Sequence, residues 1–103
     1  MNWPMMPEAG GETSVRADVW LWRARFFRTR ALSTAFVRKS GLRLSHGGLT
    51  RRTDKPGASL AVGDIVTFGK GADILSLEVL GLGTRRGPAQ EARTLFRPLE
   101  PRP

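Results

Sequence analysis

The fold is decided by residues 15–68, which read VRADVWLWRARFFRTRALSTAFVRKSGLRLSHGGLTRRTDKPGASLAVGDIVTF. In the first half of this stretch apolar residues recur at helical spacing, and in the second half they alternate with polar residues. The residues that carry the helical period are Trp20, Leu21, Ala24 and Phe27. They predict a first helix from about Asp18 to Phe26 whose buried face includes Trp20.

A second helix is predicted from about Arg30 to Ser40. Thr29 precedes it as a favourable N-cap residue, and Gly41 follows it as a favourable stop. Its apolar residues share a face that we expect to be buried, namely Leu32, Ala35 and Phe36. The opposite face carries a polar stripe about 12 Å long, formed by Arg30, Thr34 and Arg38.

Beyond Gly41 the pattern predicts strands. Residues 42–44 and 49–55 form a hairpin across the Gly47-Gly48 pair, and Pro56-Gly57 ends it. Further strands are expected at 65–68 and at 74–83, the second of them bent near Gly81. The predicted class is therefore α+β, with two N-terminal helices packed on a small, mainly antiparallel sheet.

The C-terminal part predicts a short helix that starts at Pro88, followed by an unstructured end after Phe96 because three prolines lie there in seven residues. The apolar face of this helix is Ala89, Ala92, Leu95 and Phe96. The chain thus divides into a disordered extension (1–14), a domain (15–84) and a basic tail with one short helix (85–103).

The charge is concentrated in the middle of the chain. Seventeen Lys or Arg against nine Asp or Glu give a formal net charge of +8, and residues 16–55 alone carry +9. Fourteen of the basic residues are arginine, whose guanidinium makes planar, bidentate contacts with phosphate. Nucleic acid is the leading partner, although an anionic membrane surface or an acidic protein also suits a basic chain.

The sequence offers little for catalysis. It has no cysteine and one histidine, His46, which lies in a turn without a second metal ligand nearby. The stretch GKGAD at 69–73 lacks the ending of a phosphate-binding loop and is interpreted as a hairpin turn. The first fifteen residues show neither a signal peptide nor a membrane segment. We therefore predict a cytoplasmic binding protein, not an enzyme, with no metal, no cofactor and no membrane partner.

Residues 15–68 resemble the S4 RNA-binding domain, also called the αL module. The residues that match its opening and its second helix are Arg16, Asp18, Trp20, Leu21, Arg25, Thr29 and Arg30. Together with the tail GTRRGPAQEARTLF, residues 20–37 are similar to the small bacterial heat-shock proteins of fifteen kilodaltons, which bind the large ribosomal subunit. The chain departs from the S4 pattern at Ala17, at Val19 and in the turn Ser45-His46-Gly47-Gly48.

The resemblance implies an S4-like surface in which the helices and the hairpin grip structured RNA, and a role on free large ribosomal subunits that carry a stalled nascent chain. The candidate RNA-binding residues are Arg16, Arg25, Arg28, Thr29, Arg30, Arg38, Lys39, Arg43, Arg51, Arg52 and Lys55. Additional candidates are Trp22, Phe26, Arg85 and Arg86. The expected partner is large-subunit ribosomal RNA, with weaker binding to DNA, and the expected state is a monomer.

Several alternatives stay open at this point. The arginines could form only a solvated basic face, and Trp22 with Phe26 could stack on bases or pack under the C-terminal tail. Arg85 and Arg86 could reach RNA or solubilise the tail. The chain could also serve as an accessory subunit of an RNA-modifying enzyme, or bind DNA through its helix pair.

Overall fold

The computed structural model describes residues 13–100 and confirms the predicted α+β class. The helices are α1 (Ala17–Arg23), α2 (Arg30–Ser40) and α3 (Ala89–Ala92), and a 3-10 turn (Arg93–Leu95) follows α3. The strands are β1 (Val15–Arg16), β2 (Leu42–His46), β3 (Leu49–Thr53), β4 (Ser59–Leu60), β5 (Ile65–Lys70), β6 (Asp73–Val79) and β7 (Phe96–Pro98). Strands β1 and β4 form a two-stranded ribbon, and the other five form an antiparallel sheet in the order β3-β2-β5-β6-β7.

The core lies between the two N-terminal helices and one face of this sheet. Trp20 and Leu21 of α1 are fully buried, and the Trp20 indole donates a hydrogen bond to the Gly81 carbonyl over 2.8 Å. The sheet contributes its inward-facing side chains, namely Leu42, Leu44, Val66, Phe68, Leu77 and Val79. The prediction that Trp20 belongs to the core is confirmed.

Helix α1 is shorter than predicted. It ends at Arg23 rather than Phe26, and Arg25 adopts a left-handed conformation with a φ of 69°. This turn brings the Phe26 ring against Phe68 and Phe96, at centroid distances of 5.7 and 4.9 Å. The helix stops early because the chain gains an aromatic contact with the sheet that a straight continuation would not provide.

Helix α2 has the predicted limits and caps, but only Phe36 of its predicted buried face packs against the core. The Thr29 hydroxyl accepts the Leu32 amide at 3.0 Å, and Gly41 ends the helix with a φ of 78°. The buried residues are Ser33 and Val37, whereas Leu32 is 53% exposed. Compared with the prediction, α2 is rotated about its own axis because hydroxyl groups on this helix form hydrogen bonds to α1. The spacing of apolar residues gives no information about such hydrogen bonds.

Two predicted hairpins are confirmed. Strands β2 and β3 meet at the Gly47-Gly48 turn, and β5 and β6 meet at the turn within residues 69–73. Strand β6 ends at Val79 rather than continuing to residue 83. The amides of Leu80 and Gly81 leave the sheet and donate to the Leu95 carbonyl.

The end of the described chain is ordered, so the prediction of an unstructured segment directly after Phe96 is wrong. Residues 96–98 form β7, which pairs antiparallel with β6, and the Leu99 amide donates to Ser76. Pro98 is tolerated because β7 is an edge strand, where a missing amide leaves no ladder bond unmade. Pro88 precedes α3 as its N-cap rather than as its first residue.

The predicted N-terminal extension falls almost entirely outside the described residues, as do residues 101–103. Within residues 13–100, no helix is long and apolar enough to cross a bilayer.

Candidate nucleic-acid interface

Three arginines surround a shallow crevice at the start of the two helices. Arg16 comes from β1, Arg23 from the end of α1, and Arg30 from the start of α2. Together with Ser14 and Ser59 they line an open cavity of about 390 Å³. The crevice therefore combines guanidinium groups with hydroxyl groups, which is the chemistry that binds phosphate.

Asp18 holds Arg16 in place. Its side chain is fully buried, and its two carboxylate oxygens accept from Nε and Nη2 of Arg16, both at 3.0 Å. Burial alone would raise the pKa of Asp18, but hydrogen bonds from Arg16 and Thr34 outweigh it and place that pKa below its usual range. The same contact raises the pKa of Arg16. Arg16 is a pre-oriented cation whose side chain remains about half exposed, at 53%.

The same aspartate joins the two helices. Its Oδ2 accepts from the Thr34 hydroxyl at 2.7 Å, and its backbone carbonyl accepts from the Ser33 hydroxyl at 2.8 Å. From the helical pattern alone, Asp18 was expected at a helix start and Thr34 on a polar stripe opposite the apolar face of α2. The match of Arg16 and Asp18 to the S4 pattern was the signal that this pair works together.

The other two arginines of the crevice are also positioned by neighbours. Arg23 donates to the carbonyl oxygens of Leu82 and Gly83, at 3.3 and 2.8 Å. The Arg30 guanidinium lies 6.0 Å from the centroid of the half-buried Trp22 ring. This contact places the Trp22 ring beside one of the three arginines of the crevice.

A second cavity, of about 410 Å³, adjoins the first and shares Ser14 and Ser59 with it. Its other wall is the face of the β2–β3 hairpin that is turned toward the helices. On this face the side chains of Leu49 and Arg51 are neighbours along β3. We call the region around both cavities the concave basic surface and define it by Arg16, Arg23, Arg30 and Arg51. Arg16, Arg30 and Arg51 belong to the predicted site, whereas Arg23 was not among the candidates and is added by its position in the crevice.

His46 is attached to the neighbouring loop by Asp64. The Nδ1 of His46 lies 2.5 Å from Oδ1 of the buried Asp64, and Oδ2 of Asp64 accepts the Ala61 amide at 2.9 Å. The His46 side chain is still 76% exposed. His46 was predicted to lie in a turn, but it is the last residue of β2, and its contact with Asp64 ties the hairpin to the loop before β5.

The structure separates the arginines of the hairpin. Side chains alternate along a strand, so Arg51 faces the helices with Leu44, its cross-strand partner. Arg43 and Arg52 oppose each other on the other face of the sheet. Therefore these three residues, which the sequence placed in one binding block, lie on two faces.

The remaining candidates fall into two groups. Exposed on the surface, outside the cavities of the concave basic surface, are Arg28, Arg38, Lys39 and Lys55. The others are engaged within the fold: the Thr29 hydroxyl caps α2, and Phe26 packs against the sheet.

The arginines near the C-terminal segment also make internal contacts. Arg25 donates to the Gly87 carbonyl and Arg86 to the Phe27 carbonyl, each at 3.4 Å. Arg85 pairs with Glu91 through bonds of 3.1 and 2.5 Å, which raises the pKa of Arg85 and lowers that of Glu91. The bonds of Arg25 and Arg86 fasten the tail to the domain, whereas the ion pair of Arg85 lies within the tail.

Comparison with known proteins identifies close relatives. No protein-family model matches the chain. It is 32% identical over 88 residues to the heat shock protein 15 homolog of Aeromonas salmonicida. The aligned residues cover 85% of this chain and 63% of that protein. It is 33% identical over 82 residues to heat shock protein 15 of Escherichia coli K12, with coverage of 80% and 58%. The chain thus spans about three fifths of the length of these curated relatives.

A solved structure matches as well. Heat shock protein 15 of Vibrio cholerae superposes with a TM-score of 0.65 at 30% identity, and the match covers 84% of this chain and 82% of that one. The match confirms the predicted S4-like fold. The Vibrio protein is described as trimeric, so our prediction of a monomer is wrong. Nothing in residue spacing or composition had indicated an interface between copies.

Proposed function

Because this chain belongs to the heat shock protein 15 family, we propose that it binds structured ribosomal RNA through the concave basic surface. We further propose that it acts in the cytoplasm on free large ribosomal subunits that carry a stalled nascent chain. The family membership agrees with the prediction that the chain is a binding protein and not an enzyme.

The observation that carries this proposal is the placement of four arginines around two adjoining cavities. Arg16, Arg23 and Arg30 line one cavity and Arg51 lines the other, with Ser14 and Ser59 between them. The four guanidinium groups favour an anionic ligand, and a ligand that reaches both cavities must be longer than a single phosphate. The sugar–phosphate backbone of folded RNA meets both requirements.

The state of Arg16 also supports this proposal. Its ion pair with Asp18 fixes the guanidinium, so the rotamer freedom of that side chain is already lost before a ligand binds. The crevice is correspondingly pre-organised for phosphate. The hydroxyl groups at its rim can donate to ribose hydroxyls, a feature by which proteins distinguish RNA from DNA.

Sedimentation tests the ribosomal role. Tagged protein from heat-stressed cells is run on a sucrose gradient, and the fraction that comigrates with free large subunits is measured. We expect comigration for the wild type and its loss at raised salt. A matched variant, Arg30→Gln with Arg51→Gln, should move to the top of the gradient. Wild-type protein found only at the top would refute the ribosomal role.

A further inference from the structure

The sheet has a second face that the described residues leave uncovered. Helices α1 and α2 pack on the face that carries Leu44, Val66 and Leu77. The opposite face carries a cross-strand row of Arg52, Arg43, Thr67 and Ser76. A parallel row consists of Thr50, Ser45, Ile65, Glu78 and Arg97. We call this side the open face.

Two arginines lie side by side on the open face. Arg43 and Arg52 are directly opposed on β2 and β3, a position where like charges repel. Neither makes an ion pair with a carboxylate among residues 13–100, and Arg52 donates a hydrogen bond to the Ser40 carbonyl at 3.1 Å. An anion bound between the two guanidinium groups would relieve the repulsion.

Hydroxyl pairs continue the polar surface across the sheet. Ser45 bonds to Thr50 over 2.7 Å, and Thr67 bonds to Ser76 over 2.8 Å. In each pair one hydroxyl donates to the other, so one proton remains free to donate outward. These protons suit the oxygens of phosphate and ribose.

The arginine pair also borders a small hollow. A cavity of about 300 Å³ lies beside Arg43 and Arg52, with Gly69 in its lining and Ile74 at its edge. Phe68 also lines this hollow but is only 3% exposed, and no aromatic ring belongs to either row of the open face. The face thus lacks the platform that stacks unpaired bases and is suited to contacts with the nucleic-acid backbone.

We propose that the open face binds a second RNA segment through its sugar–phosphate backbone, so that the β2–β3 hairpin lies between two RNA segments. This inference rests on the proposed function, since the first segment occupies the concave basic surface. Arg51 contacts the first segment, and Arg43 with Arg52 contacts the second. The protein then joins two RNA segments instead of covering one.

Charge favours RNA over a second copy of the chain as the occupant. Arg43 and Arg52 lie side by side on this face, so the same face of a second copy would bring like charges together. On the open face the carboxylate of Glu78 is already paired with Arg97, which leaves Arg43 and Arg52 without a carboxylate partner among residues 13–100. The face is also mostly polar, whereas interfaces of stable homo-oligomers have apolar centres.

A bridging assay tests this inference. A biotinylated RNA stem–loop is immobilised and saturated with protein, and the capture of a second, fluorescent stem–loop of the same sequence is measured. Binding of the first stem–loop is titrated separately, and the molar mass of the free protein is determined by light scattering. The variants are Arg43→Gln with Arg52→Gln, Arg43→Gln alone, and the control Arg93→Gln, which removes one exposed charge from the turn after α3.

We expect the double variant to bind the first stem–loop within about threefold of wild type, to lose capture of the second by at least about tenfold, and to keep its molar mass. Arg43→Gln, which breaks no hydrogen bond given for the fold, should lose part of the capture even if the double variant folds poorly. Arg93→Gln should behave as wild type.

Three outcomes would overturn the inference. Unchanged capture by both open-face variants would mean that bridging arises from several copies that each hold one RNA. A lower molar mass would make the open face a contact between copies. An equal loss of first and second binding would mean a single RNA site. Failure of the wild type to bind the first stem–loop would instead refute the proposed function itself.

Discussion

Replacement of Asp18 by asparagine tests whether this carboxylate holds the two helices and Arg16 together. Asparagine keeps the shape of the side chain but directs an NH₂ group at a neighbouring donor and removes the charge. Asp18 accepts two hydrogen bonds from Arg16 and one from Thr34, and its side chain is fully buried.

The loss in stability can be bounded from this geometry. Breaking a buried ion pair costs about 3–5 kcal/mol. Here Arg16 is half exposed and rehydrates when the pair is lost, so solvent screening reduces the loss. We expect Asp18→Asn to lower the free energy of unfolding by about 2–3 kcal/mol, equivalent to a decrease in Tm of roughly 10–20 °C.

The pH dependence gives an independent readout. The pKa of Asp18 is lowered in the folded protein, so the unfolded chain binds a proton at a higher pH than the folded chain does. Its contribution to stability is complete above the unfolded pKa, near 3.8, and is lost as the pH falls through the lower folded value. The stability difference between wild type and Asp18→Asn should therefore narrow below about pH 4.

Urea unfolding at several pH values measures both quantities. The control is Asp54→Asn, because Asp54 is exposed, and this substitution should change stability by less than about 0.5 kcal/mol. If Asp18→Asn were no more destabilising than Asp54→Asn at neutral pH, Asp18 would not hold the helices together and this reasoning would be wrong.

Three further predictions concern α2 and its ends, and all are measured by thermal or urea unfolding. Thr29→Ala removes the N-cap hydrogen bond to the Leu32 amide and should lower the free energy of unfolding by about 1 kcal/mol. A loss no larger than that of an exposed surface substitution would mean that this cap does not stabilise the helix. Val37→Ala should lower the free energy of unfolding by about 2 kcal/mol because Val37 is fully buried, and Leu32→Ala should lower it by less than about 0.5 kcal/mol. The reverse order would mean that α2 buries the face predicted from the spacing of its apolar residues. Gly41→Ala should cost more than about 1 kcal/mol, because φ is +78° and a Cβ would lie 3.2 Å from the Thr53 carbonyl; a neutral result would mean that this turn relaxes freely.

Local signals in the sequence predicted the start and end of α2 and both hairpin turns. An N-cap such as Thr29, a helix stop such as Gly41 and a turn such as Gly47-Gly48 depend on the conformation of a few adjacent residues. Such features can be recognised without knowledge of the rest of the fold.

Features that depend on distant parts of the chain were missed. The rotation of α2 follows from hydrogen bonds between its hydroxyl groups and Asp18, which lies fifteen and sixteen residues earlier in the chain. The periodicity of apolar residues gives no sign of these bonds. Strand β7 forms because β6 offers an open edge to residues 96–98. The contact between His46 and Asp64 joins residues eighteen apart.

The sequence predicted which residue types form the candidate site but not how these residues are arranged in space. The excess of arginine in residues 16–55 indicated a nucleic-acid surface. Only the strand register shows that Arg51 faces the helices while Arg43 and Arg52 face away from them. The trimer of the Vibrio cholerae relative depends on contacts between copies, which the pattern within one chain did not indicate.

The salt dependence of RNA binding tests the central claim most directly. Affinity for a structured RNA is measured over a range of salt concentrations, and the logarithm of the binding constant is plotted against the logarithm of the salt concentration. Four phosphate contacts, at the arginines that define the concave basic surface, predict a slope of about −2.8 to −3.6. Arg30→Gln combined with Arg51→Gln should make the slope about 1.5–2 units shallower with little change in Tm, and Arg93→Gln should leave it unchanged. A wild-type slope near zero, or an Arg30/Arg51 variant with the wild-type slope, would contradict binding of RNA phosphates by the concave basic surface.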